Sequence, residues 1–134
     1  MKHLLSDRNI RSTPVREAVL QIFLNSSHAI SHSDIEKQIK GKFDRVTIYR
    51  TLAVFLERGL IHKVLDDKEA TKYALCSPDC NSEQHHHHHL HFKCRKCGIS
   101  RCMEDVEIKT FSLPDGYLLN EINVLAEGIC PRCR

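Results

Sequence analysis

Apolar positions recur every three to four residues through the first part of the chain and every second residue afterwards, which predicts helices followed by strands. Thr13 before Pro14 reads as an N-cap and first-turn pair, and Val15, Val19, Ile22 and Phe23 then keep helical spacing up to the stop "NSS". Ser31 with Asp34 forms a capping box ahead of Ile35 and Ile39. Asp44 caps a third helix whose Ile48, Leu52, Phe55 and Leu56 make one apolar stripe ending against Gly59. Beyond it, "LIHKVL" and "TKYAL" are β-prone runs separated by the polar "DDKEA", which predicts a hairpin. Three helices and a two-stranded wing make a winged-helix arrangement.

The polar face of the third helix carries Arg45, Thr47, Tyr49 and Arg50. A solvated face is the simplest account of any one of them. The helix directly before a wing, however, is the one that enters the DNA major groove in helix-turn-helix relatives. Two arginines, a threonine and a tyrosine in its N-terminal half are the donor and stacking set such a helix needs.

Charge and cysteine placement divide the chain in two. Residues 1–75 hold 13 Lys/Arg against 9 Asp/Glu, or +4, and residues 76–134 hold 7 against 8, or −1. All seven cysteines and most histidines lie in the second part, which begins at Cys76 and opens with the loop-like "SPDCNSEQ", itself holding Cys80. This predicts a DNA-binding domain over 1–78, a hinge over 79–84 and a metal-binding domain over 85–134, in an α+β chain. With no apolar run near the ~20 residues that span a bilayer and no secretory leader pattern, the expected location is cytoplasmic. Reduced cysteines in such a compartment point to zinc before disulfides.

Cys94 and Cys97, then Cys130 and Cys133, are two Cys-x-x-Cys pairs, each able to chelate one side of a tetrahedral zinc in a closed structural site. The remaining donors, His62, Cys76, Cys80, His85 to His89, His91 and Cys102, are candidates for a second site. His89 and His91 alternate on the strand-like "HLHFKC" and share a face, and Cys102 lies on a probable partner strand, "ISRCM". Mixed nitrogen and sulfur donors favour zinc over ferrous iron without excluding nickel, cobalt or copper. The five consecutive histidines are internal and run into the chain without a vector scar, so they belong to the native sequence. No His-x-Glu occurs to supply the acid–base group of a zinc hydrolase or deaminase, and no enzyme is expected. A metal store would use the histidines and cysteines but has no use for a winged helix.

Taken together, "TPVREAVL" at 13–20, "RVTIYRTLAVFLERGLI" at 45–61, the His-x-His-x-x-Cys-x-x-Cys-Gly series at 89–98 and "GICPRC" at 128–133 resemble the ferric uptake regulator family of bacterial metal-dependent repressors, most of all its zinc-sensing branch. The resemblance implies a homodimer on a palindromic double-stranded operator, with an N-terminal winged helix and a small zinc-stapled α/β dimerisation domain. It implies that Tyr49 and Arg50 contact bases, that Arg11 lies near the minor groove, and that His62, Cys76, His89, His91 and Cys102 hold a regulatory divalent metal, with zinc favoured. Sensing of iron, nickel or peroxide is the alternative within the family. Pro114 and Gly116 fall where the family continues a helix.

Overall fold

The computed structural model describes residues 2–64, 71–76, 90–103, 106, 112–119, 122 and 124–134. Helix α1 spans Lys2–Ser6 and α2 spans Pro14–Asn25. Thr13 is extended and its hydroxyl accepts the Arg16 amide at 3.3 Å, which satisfies one of the four orphan donors at the start of α2. Strand β1, Ile30–Ser31, leads directly into α3, His32–Ile39. There the capping box is complete: the Asp34 amide donates to Ser31 Oγ at 3.2 Å and the Ser31 amide to Asp34 Oδ2 at 3.0 Å. The Ser31 amide, with the hydroxyl adding to it, holds the Asp34 carboxyl below its ordinary value. Helix α4, Arg45–Glu57, starts on Asp44, whose Oδ1 accepts the Thr47 amide at 2.6 Å. It stops where Gly59 takes a φ of +74°, a left-handed turn that glycine adopts without strain.

Leu20 and Phe23 of α2, Ile35 of α3, and Ile48, Leu52 and Phe55 of α4 close on one another to form the core. Each buried apolar side chain of this size contributes about 1.5–3 kcal/mol. Strands β2, Ile61–Val64, and β3, Lys72–Leu75, pair antiparallel as the hairpin pattern predicts. The wing is one strand larger than expected, because β1 pairs with β3 to give the order β1-β3-β2. Two residues are too short a run to carry a period, and the five of α1 make less than two helical turns; Leu5, buried against the core, is what fastens it.

In the second part, β4, Leu90–Cys94, is the middle strand, flanked by β5, Ser100–Met103, antiparallel, and β6, Val124–Gly128, parallel. The sequence pattern predicts the first pair and misses the third strand, since parallel strands need a long crossover whose closure no local signal announces. The Pro114 to Tyr117 turn, with the Tyr117 amide on the Pro114 carbonyl at 3.2 Å, stands where an interruption was expected. The two parts meet directly: the Ala29 amide donates to the Ser100 carbonyl at 2.8 Å and Lys72 Nζ to the Gly98 carbonyl at 3.2 Å. The expected hinge over 79–84, Cys80 and His85 to His89 lie outside the described residues.

Candidate metal centres and nucleic-acid interface

Parallel pairing of β4 with β6 sets Cys94 opposite Gly128, so the turn after each strand opens at the same end of the sheet. The first turn closes with the Gly98 amide on the Cys94 carbonyl at 2.9 Å, the second with the Cys133 amide on the Cys130 carbonyl at 3.0 Å. The two are clasped by the Arg95 amide on the Gly128 carbonyl at 2.8 Å and by an Arg95–Glu127 ion pair at 2.6 Å. As a result the four sulfurs of Cys94, Cys97, Cys130 and Cys133 all lie within 4.8 Å of one another.

Their protonation is divided. Amides of Cys97 and then Cys130 point at the Cys94 sulfur and pull its thiol down to about 6. Contact with Cys130 and, after it, burial push Cys133 up to about 12. Four crowded sulfurs cannot all ionise without a cation among them, and a divalent ion is what removes the conflict. The donor set therefore fits a closed, tetrahedral zinc.

The second cluster joins the two parts of the chain. His62, on β2, and His91, on β4, are both buried, and their rings stack at 5.8 Å and 16°. Cys102 is the antiparallel partner of His91, and its sulfur lies 3.1 Å from His62 Nε2. The donor atoms of His62, His91 and Cys102 lie within 4.8 Å of one another. Cys76 meets the other ring nitrogen of His62, Nδ1, at 3.4 Å. One imidazole offers one nitrogen to one ion, so the two thiols face His62 on alternative nitrogens. His89, the remaining expected ligand, lies outside the described residues.

On α4, Tyr49 is 65% exposed, and Arg45 and Arg50 are exposed with it. Thr47 is half-buried, with its amide held by Asp44 and its carbonyl accepting the Thr51 hydroxyl at 2.9 Å. Arg11 is exposed before α2, its carbonyl bound by Arg16 Nη1 at 2.9 Å. Between α3, the start of α4 and β3 runs a groove of about 640 Å³, lined by His32, Glu36, Arg45, Tyr49 and Tyr73 among others. The sequence pattern missed Glu36 and His32 as neighbours of Arg45; their i, i+4 spacing on α3 was the available signal. It also missed Val46, 57% exposed beside Arg45 and Tyr49. Among the described residues no helix is long and apolar enough to cross a membrane.

Residues 7–113 match the model of the Ferric uptake regulator family. The chain is 31% identical over 137 residues to the Zinc uptake regulation protein of Escherichia coli (strain K12), an alignment covering 97% of this chain and 77% of that protein. It is 29% identical over 148 residues to the Ferric uptake regulation protein of Synechococcus elongatus, covering all of this chain and 92% of the other. Among solved structures, a zinc uptake regulator complexed with zinc and DNA superposes with a TM-score of 0.71 at 27% identity, over 98% of this chain and 89% of that one.

Proposed function

Because this chain belongs to the ferric uptake regulator family, we propose that it is a metal-responsive, DNA-binding transcriptional repressor that senses zinc, acts in the cytoplasm and controls genes of metal uptake. The carrying observation is the buried cluster in which His62 comes from the wing and His91 and Cys102 from the second sheet, with their donor atoms within 4.8 Å. Soft sulfur beside imidazole favours zinc over harder ferrous or manganous ions.

In this reading Cys94, Cys97, Cys130 and Cys133 hold a structural zinc that staples the C-terminal part. His62, His91 and Cys102 hold the regulatory ion, with Cys76 on the alternate nitrogen of His62 and His89 beside them in sequence. A divalent ion bound there supplies a positive centre that ties a wing ligand to two ligands of the second sheet. His62 then fixes the wing against β4 and β5, in line with the backbone bond from Ala29 to Ser100. Residues 1–78 form the DNA-binding domain, 79–84 the hinge and 85–134 the dimerisation domain. Ligand occupancy selects the orientation of the first relative to the third.

The protein acts as a homodimer. Tyr117 and Leu118, 71% and 85% exposed, present apolar surface for a second copy to cover. Arg45, Thr47, Tyr49 and Arg50 of each protomer, with Arg11 towards the minor groove, face one half of a palindromic duplex. This makes the chain a regulator and assigns it no catalytic step.

DNA binding by tag-free protein, measured with chelator and after adding back zinc, ferrous iron, nickel or manganese, tests the reading. Zinc should restore binding at the lowest free concentration. Restoration by iron or nickel first would assign a different sensed metal, and binding indifferent to chelation would remove metal control altogether.

A further inference from the structure

Three side chains meet where α3 passes the first turn of α4. His32 and Glu36, four residues apart, share one face of α3. Glu36 Oε1 lies 3.2 Å from His32 Nδ1 and 3.4 Å from Arg45 Nε. That oxygen is sealed from solvent and takes no aligned hydrogen bond, so its contact with the Arg45 guanidinium is a charge pairing and not a directed bond. The other ring nitrogen of His32, Nε2, lies 3.3 Å from the Arg45 carbonyl, and the ring centre is 6.4 Å from that of Tyr49. Helix α3 thus touches Arg45 at both its backbone and its side chain.

The Arg45 side chain nevertheless remains 82% exposed. Glu36 engages its Nε, while the two η nitrogens carry four of the five guanidinium N–H donors. A carboxylate this close to a phosphate-binding arginine lowers raw affinity for DNA, because it repels any phosphate placed against it. What it adds is order: a guanidinium already held in one place loses less freedom on binding, and a fixed negative charge penalises wrong registers.

We propose that Glu36 is the positioning residue of the DNA-reading face, holding the Arg45 guanidinium so that its η edge meets the duplex in one register while its own charge disfavours others. His32 is the strut that ties this carboxylate to the α4 backbone and to Tyr49. The proposal rests on the reading of α4 as the DNA-facing helix.

The test uses the full-length, zinc-loaded protein and two duplexes long enough for two half-sites, about 30 base pairs: one of mixed sequence, one selected by the wild type from a randomised pool. Glu36→Gln should tighten binding to the mixed duplex and steepen its salt slope by about one, the change expected when one more phosphate is neutralised. The preference for the selected duplex should fall by about two- to fivefold, the scale on which an exposed ion pair acts. In an Arg45→Ala background the same substitution should leave that preference unchanged.

Unchanged preference and slope in Glu36→Gln, with Arg45→Ala still weakening binding, overturns the role of Glu36 alone. Equal weakening on both duplexes with a lowered thermal midpoint overturns it too, since that is what a purely structural contact produces. If Arg45→Ala and Tyr49→Ala both leave DNA binding untouched, the reading of α4 fails and this assignment with it.

Discussion

Two cysteines of identical chemistry sit three residues from their partners yet differ in protonation, because amides aim at Cys94 while Cys133 faces other sulfurs. A divalent ion must displace the remaining protons, so the cage's zinc affinity should fall as pH falls, and more steeply below about 6, where in the ion-free cage even Cys94 takes up a proton. Cys97→Ser or Cys133→Ser should release one tightly held zinc per chain and leave the C-terminal part unfolded or the protein monomeric. Metal analysis with sedimentation reads both effects, and a variant that keeps its zinc and its dimer contradicts the assignment. The roles proposed for the two arginines at the start of α4 are separable by experiment. Arg50→Ala should cost about 1–3 kcal/mol on a selected duplex and much less on a mixed one, as loss of a base contact does. Arg45→Ala should weaken binding to both and flatten the salt slope by about one, as loss of a phosphate contact does. Equal losses for Arg50→Ala on both duplexes would take the base contact away from it.

At the scale of elements, the helices are set by their first residues. Ser31 closes β1 and opens α3, and its side chain satisfies the Asp34 amide there. Ser31→Ala should therefore destabilise the protein by about 1 kcal/mol in urea denaturation. Asp34 contributes with a definite sign. Its carboxyl is held below the ordinary value in the folded chain, so its contribution is present above that value and lost as pH falls through the folded one. Asp34→Asn should consequently lose less stability than the wild type between neutral pH and about pH 3. A parallel loss in both proteins would show that the capping box carries no pH-dependent stability. The strands behave differently, since β1 and β6 exist through pairing with β3 and β4.

For the whole molecule, the contrast between the two metal centres is one of topology. The four-cysteine cage is built within one sheet, whereas His62 lies on the other sheet from His91 and Cys102. A site assembled between two parts spends some of its binding free energy on ordering them, and so binds more weakly and responds to supply. His91→Ala or Cys102→Ser should keep the cage zinc and the dimer but lose metal-dependent DNA binding, a coupling of about 1–3 kcal/mol. Replacing His85 to His88 with Ala should have the smaller effect. If those replacements abolish the zinc response while His91→Ala and Cys102→Ser retain it, the histidine run is the sensor instead.

What the sequence determined by itself is everything encoded in short spacings. Three helices with their caps at Thr13, Ser31 and Asp44, the β2–β3 hairpin, the alternation that pairs His91 with the strand of Cys102, and the doubled Cys-x-x-Cys are all local patterns, because hydrogen bonds over three or four residues and strand alternation depend on neighbours alone. Spacing could nominate Cys94, Cys97, Cys130 and Cys133 but could not bring them together. That required β6 to lie parallel to β4, a contact across more than thirty residues, decided by loop closure and by side-chain packing such as Phe92 under Gly128. Likewise only the tertiary structure placed Cys76 and Cys102 on opposite nitrogens of His62, and Glu36 against Arg45. The direction in which a buried side chain points depends on elements distant in sequence that pack around it, and no local period carries that information.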